Sequence, residues 1–153
     1  MLLGQWRAEH DWTAAHGLPT HVTVRVPLPH AIGAPSLLPL VEAHLPVTVT
    51  LRRIEDRPGA LVAVAEPDDA LRALTAAIDE VLPGLPPHRG DRPDLTYHAT
   101  IVRTSDARVR AAAKSAIAPR LPLTETADEL CAFEWSGREE LRIAWRAPLR
   151  LVH

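Results

Sequence analysis

The sequence predicts an α+β chain whose two lobes face each other across a groove, and three observations carry that expectation. Short runs with period-two alternation, such as His21-Val22-Thr23-Val24 and Val47-Thr48-Val49-Thr50-Leu51, read as strands. A longer run with apolar residues three and four apart, 67–82, reads as a helix. The elements also repeat loosely in order. A histidine-bearing strand, helix, hairpin and helix precede a second histidine-bearing strand, a helix and strands. No residue-level repeat accompanies this order, which sets the two histidine strands at equivalent places in two α+β lobes.

Residues 1–20 are polar, with helical character around Ala8–Ala15, and Gly17-Leu18-Pro19 breaks the segment before a first strand at about 21–27. Pro27, Pro29 and Pro35 mark a loop, and a short helix fits Leu37 to Ala43. Residues 47–54 and 60–65 alternate around the turn chemistry of Asp56-Arg57-Pro58-Gly59 and form a hairpin. The helix at 67–82 has Pro67 at its first position, Asp68 and Asp69 at the positive end of its dipole, and a stripe of Leu71, Leu74, Ile78 and Val81. A Pro/Gly-rich loop at 83–94 delivers the second histidine strand, about 95–103. Ser105 and Asp106 cap a helix running through Ala118, with Val109, Ala113, Ala116 and Ile117 as its apolar side. Strands near 120–126, 130–135 and 140–146 finish the chain, with the last turn at Gly137.

The chain of 153 residues suits a single domain over 1–153, with lobes of roughly 17–82 and 95–150 that allow exchange of elements between them. A net charge of −2 excludes a broad basic field for gripping long nucleic acid, while a short contact with an RNA end or a nucleotide needs only a few local cations. Lys114 is the one lysine, a bias that fits GC-rich coding. Cys131 is the one cysteine, so no intramolecular disulfide forms, and its Leu-Cys-Ala-Phe setting suits a small core residue. No run approaches a membrane span and the first residues turn polar too soon for a signal peptide, so a cytoplasmic location without membrane contact is the expectation.

The informative feature is the pair His21-x-Thr23 and His98-x-Thr100. Residues i and i+2 of a strand share a face about 7 Å apart, so each histidine and its threonine address one ligand together. Two such strands brought together surround one small anion. A neutral imidazole takes a proton from an attacking oxygen, a protonated one gives a proton to a leaving oxygen, and the hydroxyls hold the oxygens where charge builds. Spacing alone leaves three readings open: this catalytic pair, two surface strands, or a histidine-ligated metal. Arg25 shares the His21 face as a phosphate contact or a solvated strand arginine, and Tyr97 reads as a packing residue before a base-stacking one. His10, His16, His30, His44, His88 and His153 share no partner spacing and read as surface residues, with His88 on the loop that can overhang the groove.

His21-Val22-Thr23-Val24 and His98-Ala99-Thr100-Ile101 resemble the paired H-x-[ST]-hydrophobic motifs of the 2H phosphoesterase superfamily, nearest the 2′-5′ RNA ligase / RNA 2′,3′-cyclic phosphodiesterase family. Gly17-Leu18-Pro19-Thr20 before the first motif, Pro86-Pro87 and Gly90 before the second, and Trp145 with Pro148-Leu149 near the end are similar in context. The likeness spans most of 17–150, and only the two histidine motifs are specific. The resemblance implies a bilobal fold of two antiparallel sheets with flanking helices around a central cleft. It implies opening of 2′,3′-cyclic phosphate ends of RNA or a small nucleotide to 2′-phosphates, in some members 2′-5′ joining of RNA ends, with no cofactor, no metal and no obligate protein partner. It gives His21 the acid role, His98 the base role, and Thr23 and Thr100 the phosphate. Arg103 matches a family arginine, although strict alternation turns it away from His98 unless the strand bulges or ends there. Two departures stand out. Only 20 residues precede His21, where the family has a strand, and Tyr97 replaces a common proline. The alternative reading is a non-catalytic nucleotide or RNA-end binding module on the same fold.

Overall fold

The structure is a computed structural model and describes residues 2–26, 28, 32–82, 96–136 and 140–149. The opening segment is helical from its start: α1 spans Leu2–His10 and α2 spans Trp12–Ala15. Asp11 separates them, accepting from the Thr13 amide at 3.0 Å as an N-cap. α1 packs on the second histidine strand, so helices occupy the place where the family resemblance implies a strand. α3 (Ala34–His44) starts with Pro35 in its first turn and buries Leu37 and Val41.

The hairpin follows the sequence closely. β1 (Val47–Arg57) and β2 (Ala60–Ala65) pair antiparallel around Pro58-Gly59, where Gly59 takes the positive φ of 77° that the turn demands. β1 runs three residues further than the alternation indicates. A shift of register between Leu51 and Arg53 moves its later residues onto the other face. α4 (Asp69–Val81) buries Leu71, Leu74 and Ile78 as its stripe predicts. Pro67 lies outside the helix and Asp68 takes the cap position. Val81 is 43% exposed, because the cap residue Leu82 turns into the core in its place. β3 (His98–Val102) is short, and α5 (Ala107–Ile117) is capped by Asp106, whose carboxylate accepts from the Arg108 amide at 2.8 Å. α5 buries Ala113 and Ile117, while Ala116 faces outward. β4 (Leu123–Ala127), β5 (Glu129–Trp135) and β6 (Leu141–Pro148) complete the chain. The loop at 83–94 and the turn at Gly137 lie outside the described residues.

Two antiparallel sheets result, one of order β3-β2-β1-β4 and one of β5-β6, with helices flanking them. This is the α+β arrangement the sequence predicts. The larger sheet takes β1 and β2 from before residue 83 and β3 and β4 from after residue 94. Its core combines Val47, Val49 and Leu51 of β1 with Leu61 and Ala63 of β2, Ile101 of β3, and the α4 stripe.

The first histidine segment departs from the expected strand at 21–27. It makes one antiparallel bridge, Val22 to Ala99, on the free edge of β3. Pro19, ahead of the segment, has no amide donor to offer a longer ladder. Side chains from α4 hold the segment instead. The Thr75 hydroxyl faces the Val24 carbonyl at 3.0 Å and the Leu71 carbonyl at 2.9 Å, and accepts from the Tyr97 hydroxyl at 2.7 Å. One helix residue therefore ties the backbone of the first motif to the residue preceding the second. Replacing Thr75 with Val removes that donor and that acceptor, and a urea unfolding curve is expected to show a loss of about 1–3 kcal/mol. Thr75→Ser should retain most of the stability; equal losses in both variants would mean that packing of the methyl group, not the hydroxyl, holds the segment.

Candidate active site

The bridge fixes which side chains share a face. In an antiparallel pair, directly opposed residues point the same way and their neighbours point the other way. With Val22 opposite Ala99, the register sets His21 opposite Thr100 and Thr23 opposite His98. All four motif side chains then fall on one face of the pair. Opposed residues stand roughly 5 Å apart at Cβ, and the two histidines lie on the diagonal, about 7–8 Å apart. That spacing suits a phosphate between two imidazoles. The bridge thus sets the two motifs side by side at the free edge of β3.

The histidines also share a local bond. His21 Nδ1 lies 2.8 Å from the Pro19 carbonyl, and His98 Nδ1 lies 2.9 Å from the Thr96 carbonyl. A carbonyl only accepts, so each ring donates through Nδ1–H and keeps its Nε2 for chemistry. Burial is the main force on both and pushes each below the ordinary histidine range, against the carbonyl bonds that favour the charged form. The surrounding charges differ. Arg7 pushes His21 down while Asp11 pushes it up. Arg57 pushes His98 down while Glu55 pushes it up. The Arg103 charge lowers both, so one guanidinium lies within electrostatic reach of the two rings.

Arg103 gets there because β3 ends at Val102 and alternation no longer applies. Its amide donates to the His10 carbonyl at 3.0 Å, and its Nε stands 3.6 Å from Asp11 Oδ1. Asp11 is the centre of a buried network. It accepts from Arg7 Nε at 3.1 Å and from the Thr13 hydroxyl at 2.7 Å, while Arg7 also donates to Thr13 Oγ1 at 3.1 Å. Burial works against the Asp11 charge, but the bonds from Thr13 and Arg7 outweigh it and hold the carboxyl below its usual range. Arg25, expected at the phosphate, has its side chain only 3% exposed and its Nη1 3.0 Å from Asp79 Oδ1 on α4. Tyr97 is a buried packing residue, with the Arg72 guanidinium 5.6 Å from its ring centroid.

Several neighbours of the site are absent from the sequence expectation. Arg57 closes β1, where the sequence reads as turn. Its Nη1 stands 3.4 Å from His98 Nδ1, its Nη2 donates to Thr96 Oγ1 at 2.8 Å, and Glu55 pairs with it at 2.6 Å. The shorter Thr96 bond claims the Nδ1 proton of His98, which leaves Arg57 as a positive charge beside the ring. Phe133 of β5 meets the His21 ring edge-on at 5.7 Å between centroids. A cavity of about 320 Å³ runs along residues 19–25 between the two sheets, and His21, Val22, Thr23, Val24 and Ala99 are among its lining residues. His98 and Thr100 do not line it. Among the described residues no helix is long and apolar enough to cross a membrane.

Each depressed histidine keeps its folded value below its unfolded one. The unfolded chain therefore binds more protons between the two, and stability present above about pH 6.5 is lost as pH falls through the folded values. In an NMR titration of the imidazole carbons, His21 and His98 are expected to have midpoints below 6.5, with 15N shifts of the Nδ1–H tautomer in the neutral form. A midpoint at or above 6.5 for both rings would contradict this account of the site.

A family model described as the 2′-5′ RNA ligase superfamily matches residues 2–139. No curated protein matches the chain.

Proposed function

The chain belongs to the 2′-5′ RNA ligase superfamily, that of the 2H phosphoesterases, and from that premise we propose that it opens 2′,3′-cyclic phosphate ends of RNA or of a small nucleotide to 2′-phosphates. The observation that supports this reading best is the register at Val22 and Ala99, which aligns two histidines and two threonines on one face. In this reading His98 is the base. Its Nε2 takes a proton from water as the water oxygen bonds to phosphorus. His21 is the acid, and its Nε2 gives a proton to the 3′ oxygen as the phosphorus–oxygen bond breaks. The product carries a 2′-phosphate and a free 3′-hydroxyl, and each histidine ends in the other's starting state. Thr23 and Thr100 donate to the non-bridging oxygens, and Arg103 supplies positive charge near both rings. Arg25 acts at a distance in this proposal, by anchoring the first motif to Asp79.

The division of roles is the one the family resemblance implies. Beside each ring an arginine disfavours the second proton and a carboxylate favours it, Arg7 and Asp11 at His21 and Arg57 and Glu55 at His98, so both rings can serve either role electrostatically. Joining of RNA ends through a 2′-5′ bond is the same opening step with a 5′-hydroxyl in place of water: its oxygen bonds to phosphorus as the bond to the 3′ oxygen breaks, and the 3′ oxygen takes the proton.

His21→Ala and His98→Ala are each expected to lower kcat about 10²- to 10⁴-fold on a 2′,3′-cyclic nucleotide, with little change in chelator-treated wild type. The pH profile of kcat/KM should be bell-shaped with its maximum below 6.5, because both titrating groups lie below the ordinary histidine value. Normal turnover by both alanine variants would refute the two-histidine mechanism. Tight binding of the cyclic nucleotide by the wild type without any product would identify a binding module on this fold.

A further inference from the structure

An aromatic strip beside the first motif takes no part in the chemistry above. Phe133 and Trp135 stand two residues apart on β5, opposite Ile143 and Leu141 of β6, so they share one face of the hairpin. Phe133 touches the His21 ring, and Trp135 leans on Trp12 at 6.1 Å between centroids. Trp12 is braced in turn by an edge contact with His16 at 5.8 Å. Phe133 is 37% exposed and Trp135 is 64% exposed. Aromatic residues make up only 4% of the chain, yet three of them gather at this edge of the site with two rings open to solvent. An indole so exposed forgoes the burial that normally repays its size, and an exposed ring in contact with a site residue is a surface for a ligand.

We propose that this strip stacks the bases of a single-stranded oligonucleotide, the terminal base on Phe133 and the preceding base on Trp135. The inference rests on the proposed cyclic-phosphate chemistry and narrows its substrate to an RNA end of two or more nucleotides. Side chains two apart on a strand are about 7 Å apart, a step that separate, unstacked bases of an extended strand can follow. Every base has a π-face, so such a platform tolerates sequence. The net charge of −2 leaves no wide phosphate-binding field, and stacking supplies affinity without one. Continuity with His21 favours a substrate over a protein partner, since a protein seated on Phe133 would cover the imidazole that must meet the phosphate.

The test compares wild type, Phe133→Ala, Trp135→Ala and Trp135→Phe on three substrates: a mononucleoside 2′,3′-cyclic phosphate, a trinucleotide ending in that group, and the same trinucleotide with an abasic penultimate position. Wild type is expected to favour the complete trinucleotide over the abasic one on the order of 10-fold in kcat/KM. Trp135→Ala should erase that ratio, Trp135→Phe should restore most of it, and Phe133→Ala should raise KM for all three substrates. Equal kcat/KM on the complete and abasic trinucleotides in wild type overturns the stacking platform while leaving the phosphoesterase reading intact. So does a Trp135→Ala variant that abolishes self-association seen by light scattering but keeps the wild-type ratio, which would mark the strip as a protein interface. Failure of wild type to open any of the three cyclic phosphates removes the reading beneath it as well.

Discussion

One backbone contact governs the site. The pairing of Val22 with Ala99 decides that His21, Thr23, His98 and Thr100 look the same way. A slip of one residue would turn His21 and Thr23 to the opposite face and leave His98 alone. Yet a single bridge is a weak specification, since most strands fix their register through several paired residues. The fold makes up the difference with α4. Thr75 joins Val24 to Tyr97, and Asp79 holds Arg25, four residues further along the same helix face. The helix that fills the core with Leu71, Leu74 and Ile78 thus also sets the register of the first motif. Packing and positioning are done by adjacent faces of one element.

The electrostatics follow from the same placement. The helical start of the chain brings Arg7, Asp11 and Thr13 into a closed, buried network, and Arg103 docks against it where β3 ends. A buried carboxylate is tolerable only when its oxygens are occupied, and here amide, hydroxyl and guanidinium donors occupy them. That arrangement fixes a negative and a positive charge near His21. Arg57 and Glu55 repeat it near His98 from a different strand. The two rings therefore match in their Nδ1 bonds and differ in the origin of their charges. The residues before His21 shape the site by this network, where a further strand would have shaped it by pairing.

Much of this was legible in the residues and some was not, for physical reasons. The α4 stripe, the 47–65 hairpin and β3 show in local periodicity, because their apolar faces meet the core directly. The two H-x-T motifs show for the same reason: alternation alone puts a histidine and its threonine on one face. Whether the first segment forms a ladder depends on a distant free edge, and nothing local signals that it makes one bridge. Arg57 reaches His98 from two strands away, and Phe133 reaches His21 from the other sheet, so neither has a spacing signature. Asp11 did carry a signal. Asp followed two residues later by Thr, with Arg four before, is a capping and ion-pair pattern in a segment that otherwise reads as merely polar. Arg25 shows the reverse: strand spacing aims it at the phosphate, and a carboxylate on the helix behind takes it.

The depressed histidines have a consequence for how catalysis starts. In the proposed reaction the general acid needs a proton, and burial lowers the affinity of both rings for one in the empty site. A phosphodiester anion arriving between them reverses the balance, because a negative charge within about 4–6 Å favours the imidazolium. Only one ring need respond, and each has an arginine that opposes its second proton and a carboxylate that favours it. In the proposed reaction, substrate binding and proton uptake then become one event, and the empty site is spared two neighbouring like charges. The same argument explains why the site tolerates three arginines around two histidines: their positive charge is unfavourable to the imidazolium until the anion arrives, and from then on it is directed at the oxygens where charge accumulates.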